Sequence, residues 1–78
     1  MRLYAIFVTQ MEFVSLIAPQ AVFQDEVSEH YYLGGHGLRP LLFNTRHAAE
    51  EERKRIKAFW STKKIKCEVR RAKIVIND

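Results

Sequence analysis

Apolar residues are distributed along the chain in several short runs, which predict strands, and in one longer stretch with helical spacing. Residues 3–8, LYAIFV, are apolar on both alternating faces, as in a strand that is central and covered on both sides. Residues 13–18, FVSLIA, form a second run that predicts a strand ended by Pro19, because proline lacks the N–H that a central ladder needs. The short separation of the two runs predicts a hairpin.

The segment 19–33 is compatible with two structures. Phe23, Val27 and Tyr31 recur at the spacing of one helical face. The alternative is an irregular acidic loop, QDEVSE, that leads to a short strand at residues 30–33. All three glycines of the chain follow directly and predict a turn, because glycine adopts positive φ without steric cost. The pattern of residues 19–33 is therefore compatible with both the helix and the loop.

Residues 45–60, TRHAAEEERKRIKAFW, predict a helix, preceded by a short strand at residues 41–43. Thr45 is a suitable N-cap, and acidic residues precede basic ones in the order that the helix dipole favours. The residues predicted to face the sheet are Ala48, Ala49, Ile56, Phe59 and Trp60.

The last part of the chain predicts a C-terminal strand. Apolar residues alternate from Ile65 to Val69 and again from Ala72 to Ile76, but in opposite phase. Such a change of phase predicts a β-bulge, or a break between two strands, near residues 70–71.

Length and composition indicate one small folded domain. Seventy-eight residues cannot supply two cores, and 47% hydrophobic residues exclude a disordered chain. We therefore predict a single α+β domain over residues 1–78. It has a small, mainly antiparallel β-sheet with one amphipathic helix packed on it, in the order β-β-(loop or helix)-β-α-β. A domain of this size has a thin stability margin, so an edge strand that pairs with a second copy, giving a homodimer, is one way to complete the core.

Charge is distributed unevenly along the chain. Residues 1–38 carry one basic and four acidic residues, a net charge of −3, and residues 39–78 carry twelve basic and five acidic residues, a net charge of +7. This predicts binding to an acidic protein surface or to nucleic acid phosphates. The alternative is a solvated surface whose charges deter strand aggregation. The predicted contact residues are Arg53, Lys57, Lys63, Lys64, Lys66, Arg70 and Arg71.

Aromatic residues next to the glycine turn are a second candidate for contact. Tyr31 and Tyr32 could stack on bases as aromatic platforms do, although half-buried strand positions are the favoured interpretation. The three histidines match no usual zinc spacing, and no nucleophile, base and orienting residue stand together in the sequence. We therefore predict no enzyme activity, no metal site and no cofactor, with a small enzyme or metalloprotein as the minor alternative.

Cysteine use and hydropathy predict a cytoplasmic protein without a membrane partner. The single Cys67 excludes an internal disulfide, which favours a reducing compartment. Gln10 and Glu12 interrupt the first apolar run, so it does not match a signal peptide. No apolar window approaches the roughly 18 residues that a spanning helix needs.

Two segments resemble a pattern found in small uncharacterised phage and prophage proteins. They are YYLGGHGLRPLLFNTRHAAEEERKRI at 31–56 and KCEVRRAKIVI at 66–76: a strand ending in Phe, a Thr-Arg helix start, a charged helix and a final strand. The resemblance is one of layout and transfers no active site. It implies an accessory protein, in the cytoplasm of the host cell, that binds and modulates or inhibits a host macromolecule through the basic C-terminal surface. Direct DNA or RNA binding is the alternative function.

Overall fold

The computed structural model describes residues 2–35 and 37–72, and within them the chain forms six strands, one α-helix and one 3-10 turn. The predicted α+β class is confirmed, because the strands form an antiparallel sheet with the helix packed on it. The elements are β1 (Leu3–Gln10), β2 (Gln20–Gln24), β3 (Tyr31–Leu33), β4 (Arg39–Pro40), β5 (Leu42–Phe43), α1 (Arg46–Phe59), the 3-10 turn (Ser61–Lys63) and β6 (Lys66–Ala72).

The first strand is central, as predicted. On one side β1 pairs with β6 along its whole length, from Leu3 opposite Ala72 to Gln10 opposite Lys66. On its other side β1 pairs with β5 near its start and with β2 near its end. β2 pairs in turn with β3 and with β4. The β4 and β5 segment therefore lies between β1 and β2, which are paired to each other at only two positions.

The helix covers one face of the sheet. Thr45 is the N-cap, and its Oγ1 accepts a hydrogen bond from the Ala48 N–H at 3.1 Å. Ala49 and Ile56 are fully buried, whereas Ala48 and Phe59 are exposed, so the buried stripe is narrower than predicted. The core cluster comprises Ile6, Val8, Val22, Tyr31, Leu41, Ala49, Ile56, Ile65 and Val69.

The predicted strand at residues 13–18 is wrong. These residues form a loop, and β2 begins at Gln20, directly after Pro19. Phe13 is 94% exposed and Ile17 is fully exposed. Leu16 of this run packs against the core, whereas Phe13 and Ile17 do not. The run therefore has the composition of a strand without its pairing or its burial.

The acidic loop in the segment 19–33 is confirmed in place of the helix. Residues 20–24 are β2 and residues 31–33 are β3, so Phe23 and Tyr31 lie on strands. The connection is held by Asp25, whose Oδ1 accepts hydrogen bonds from the N–H groups of Val27 and Ser28. These bonds lower the pKa of the Asp25 carboxyl, because they favour its charged form.

The last strand has no bulge at residues 70–71. β6 pairs with β1 without a register shift from Cys67 to Ala72, and the irregularity lies in β1, between Val8 and Gln10. Arg71 occupies the helix-side face and is exposed there, so a polar residue rather than a bulge breaks the apolar alternation. Ile74 and Ile76, on which the predicted change of phase also rests, lie outside the described residues.

Candidate functional site

Strand β6 forms an edge of the described sheet, since it pairs with β1 on one side and with no described strand on the other. Its side chains alternate between the two faces. Val69 belongs to the core under α1, so Lys66 and Arg70 lie on the face away from the helix, and Arg71 lies on the helix side. All three basic side chains are exposed.

The helix adds two further cations beside this strand. Arg53 lies next to Cys67 of β6, and Lys57 follows one turn later on the same side of α1. The Arg53 Nε donates to Glu50 Oε2 at 2.7 Å, and this hydrogen bond raises the pKa of Arg53. We call this surface the β6 edge. It comprises Arg53, Lys57, Lys66, Arg70 and Arg71.

The positive charge of the basic residues is only partly neutralised. Arg53 pairs with Glu50, and Arg70 pairs with Glu68, its neighbour on the same face of β6. In the ranges that the structure describes, no carboxylate forms an ion pair with Lys57, Lys63, Lys66 or Arg71. A net positive potential therefore remains along the β6 edge.

Lys63 and Lys64 lie apart from the β6 edge, in the turn between α1 and β6. The Lys63 carbonyl accepts a hydrogen bond of 2.8 Å from the N–H of Glu12, in the loop after β1. Lys64 adopts a left-handed conformation with φ of 48°, and its Nζ lies 3.9 Å from Glu12 Oε1. The predicted basic cluster is therefore divided into two groups. One is the β6 edge. The other is Lys63 with Lys64, which we call the lysine turn and which lies just before the start of β6.

The two tyrosines lie on opposite faces of the sheet. Tyr31 is 8% exposed, and its hydroxyl donates to Glu52 of the helix. Its ring packs against Phe59 and Trp60, with centroid separations of 5.3 and 6.3 Å. A buried ring does not fit the predicted contact with bases. Tyr32 remains 43% exposed, on the face away from α1.

Sequence reasoning missed the loop between β1 and β2 as a candidate site. We call residues 11–19 the apolar loop. Phe13, Val14 and Ile17 are exposed there, and the loop adjoins the lysine turn through Glu12. No local signal in FVSLIA separates an exposed loop from a buried strand, because a continuous apolar run is also typical of a strand covered on both sides.

Among the described residues, no group of three or more His, Cys, Asp or Glu side chains is placed to hold a metal ion. His36 lies outside the described residues, and Cys67 is half-buried in β6.

Comparison with known proteins gives no relative: no family model, no curated protein and no solved structure matches the chain. The resemblance to phage proteins therefore stays a prediction. Among the described residues, no helix has both the length and the hydropathy to cross a membrane.

Proposed function

We propose that the protein is a non-enzymatic interaction protein that binds an acidic segment of a partner protein at the β6 edge. The observation that carries the proposal is a strand edge to which no described strand is paired, with basic side chains on both of its faces. If the resemblance to phage proteins is correct, the partner is a host protein and the chain modulates or inhibits it.

An edge strand offers backbone donors and acceptors to an added strand. An extended peptide that pairs there places alternate side chains on the two faces of the sheet. On one face its residues would meet Lys66 and Arg70, and on the other they would meet Arg71 and the helix cations. A segment with acidic residues on both faces would complement all of them.

The same charges also oppose pairing between two copies of the chain. Each β6 strand carries three basic residues and one acidic residue, Glu68, so two copies side by side would bring net positive charge together. Like charges on adjacent strands destabilise a sheet. The β6 edge is therefore suited to an acidic strand and unsuited to its own copy. A homodimer through an edge strand remains a prediction, and this argument disfavours it at β6.

Nucleic acid is the alternative partner for the same charges. The cations of the β6 edge face two sides of one strand, so a duplex that lies on one face would contact only part of the set. The burial of Tyr31 also removes one of the two predicted stacking residues. Both observations favour an acidic protein segment.

Binding of a synthetic peptide tests the proposal. The probe is a fluorescent peptide that repeats two glutamates followed by two valines, which places glutamate on both faces of an added strand. It is compared with the same peptide carrying lysine in place of glutamate and with random single-stranded and duplex DNA. We expect the glutamate peptide to bind and the lysine peptide not to bind. Alternate backbone N–H groups of the added peptide point toward β6, and the others point away from it. N-methylation of the set that points toward β6 should abolish binding, and N-methylation of the other set should not. Preference for DNA over the acidic peptide would overturn the proposal in favour of nucleic acid.

Charge reversal identifies the surface. The double variant Lys66→Glu with Arg71→Glu changes one residue on each face of β6 and should weaken peptide binding at least about tenfold. The matched control is Lys54→Glu, because Lys54 is an exposed cation of α1 outside the β6 edge and forms a 3.5 Å ion pair with Glu51. Unchanged affinity of the double variant would show that the β6 edge is only a solvated surface.

A further inference from the structure

The apolar loop exposes large side chains at the surface instead of burying them. Phe13 and Ile17 are almost entirely solvated, and Val14 between them is about half exposed. Single exposed apolar residues are ordinary, whereas a cluster of them marks a site of contact with another apolar phase. These three residues fall within five consecutive positions, of which Ser15 alone has a polar side chain and Leu16 packs against the core.

The backbone of Phe13 is also in a conformation that its side chain disfavours. Phe13 has φ of 64° and lies in a turn closed by a 3.3 Å hydrogen bond from the Val14 N–H to the Met11 carbonyl. This left-handed conformation suits glycine or asparagine and is rare for bulky residues. The ring contributes no burial to the fold, and its backbone geometry costs stability. Folding therefore gives no reason for a phenylalanine at this position.

Lysines adjoin the base of the loop. Glu12 donates its N–H to the Lys63 carbonyl, and its carboxylate lies beside the Lys64 ammonium. Glu12 is the only acidic residue of the apolar loop, so this ion pair offsets the only negative charge there. Lys66 is close as well, because it pairs with Gln10 at the end of β1. The exposed apolar residues and a positive border thus belong to one end of the molecule.

We infer that the apolar loop and the lysine turn form a docking site for the surface of an anionic lipid bilayer. Phe13, Val14 and Ile17 would enter the boundary of the acyl chains, and the lysines would meet the phosphate and carboxylate groups of the lipids. Contact with a bilayer needs neither a shaped pocket nor directional hydrogen bonds. It therefore suits a loop whose exposed side chains are mainly apolar. A partner protein with an apolar pocket is the alternative occupant.

This inference goes beyond the β6 edge and differs from the sequence-based expectation of no membrane partner. That expectation rested on the lack of a spanning segment, and a loop that inserts at the interface needs none. The charge of the lysine turn commits the proposal to anionic lipids over neutral ones.

Sedimentation of the full chain with lipid vesicles tests the inference. We expect binding to vesicles rich in phosphatidylserine and little binding to pure phosphatidylcholine. Phe13→Gly should weaken partitioning about ten- to a hundredfold, because it removes the largest inserting side chain. Lys63→Glu should weaken binding to the anionic vesicles, because it removes the electrostatic attraction to them. Its affinities for the two vesicle types should then be similar.

A matched control is available in the loop between β2 and β3. Val27 is 95% exposed and lies beyond the opposite end of β2 from the apolar loop. Val27→Ser therefore removes an equally solvated apolar side chain outside that loop, and it should leave partitioning unchanged. Phe13→Gly should have an unchanged or higher thermal midpoint, because glycine relieves the positive φ. With that midpoint, a loss of vesicle binding by Phe13→Gly cannot come from unfolding.

Failure of this inference is distinguishable from failure of the proposed function. Phe13→Gly should keep its affinity for the acidic peptide, and Arg71→Glu, outside the loop and the turn, should keep vesicle binding. Equal binding of Phe13→Gly and wild type to vesicles would overturn the inference, as would equal losses in Phe13→Gly and Val27→Ser. Absence of sedimentation with either vesicle would overturn it and leave the loop to a protein partner.

Discussion

The hydroxyl of Tyr31 donates a hydrogen bond to the carboxylate of Glu52, and this contact joins strand β3 to helix α1. β3 has only three residues, and among the described strands it pairs with β2 alone. The Tyr31 ring adds contacts with Phe59 and Trp60 at the end of the helix. One side chain thus anchors a short edge strand to the core.

The first prediction concerns stability at alkaline pH. Burial, together with the bond to Glu52, raises the pKa of the Tyr31 hydroxyl above its ordinary value of 10.0. The protonated phenol therefore stabilises the fold fully below about pH 10, and this contribution is lost as pH rises toward the higher folded pKa. We expect the urea midpoint of the wild type to fall more steeply above about pH 10 than that of Tyr31→Phe.

Tyr31→Phe should also lower the free energy of unfolding at neutral pH by about 1.5 kcal/mol, because a hydrogen bond to a charged group is lost. Tyr32→Phe is the control, since the Tyr32 side chain is exposed and makes no hydrogen bond with the described residues. Equal alkaline slopes in wild type and Tyr31→Phe would show that the Tyr31 hydroxyl titrates alike in the folded and unfolded chains.

The second prediction concerns the start of the helix. Thr45→Ala removes the acceptor for the Ala48 N–H and should lower the free energy of unfolding by about 1 kcal/mol, measured by urea denaturation. Thr45→Ser keeps an oxygen at the same position and should retain most of that stability. A loss in the serine variant as large as in the alanine variant would mean that the threonine methyl group, and not the cap, stabilises this end.

The sequence predicted elements whose signals are local and failed where the signal depended on distant contacts. The cap at Thr45 and the alternation that marks β6 are properties of a few neighbouring residues, and both are found in the structure. The run at residues 13–18 has strand composition, but its one bridge is the isolated local pair of Val14 with Met11, because β1 pairs instead with β5, β6 and β2. The placement of β4 and β5 between two diverging strands could not be predicted from local pattern.

The candidate site was predicted in composition but not in arrangement. The sequence identified the basic residues. Their separation into two groups depends on the turn at Lys64, which has a left-handed backbone, and their placement on two faces depends on the alternation of Arg70 and Arg71 in β6. The apolar loop was missed for a related reason. Phe13 and Ile17 were assigned to a strand by their hydrophobicity, and hydrophobicity alone does not distinguish a buried side chain from one exposed for contact.

The third prediction concerns the core. Ile56 is fully buried between the helix and the sheet, so Ile56→Ala should lower the free energy of unfolding by about 2 to 5 kcal/mol. A chain of this length has a total stability of about 4 to 12 kcal/mol, so the variant should lose a large share of that stability. Ile17→Ala is a matched control, because the same atoms are removed from a fully exposed residue, and its urea midpoint should stay within error of the wild type. Similar losses in both variants would contradict the described core.

The fourth prediction concerns self-association through β6. If the basic side chains of this strand keep two copies apart, their neutralisation should favour strand pairing between chains. The triple variant Lys66→Thr, Arg70→Thr and Arg71→Thr keeps strand propensity and removes the repulsion, so we expect its mean mass in light scattering to rise with concentration more than that of the wild type. Lys54→Thr removes a cation outside the β6 edge and should behave like the wild type.

High salt provides an independent check of the same prediction. It should raise the mean mass of the wild type part of the way toward that of the triple variant, because salt screens exposed charges. A triple variant with the same mass as the wild type at every concentration would show that these charges do not act against pairing between copies of the chain.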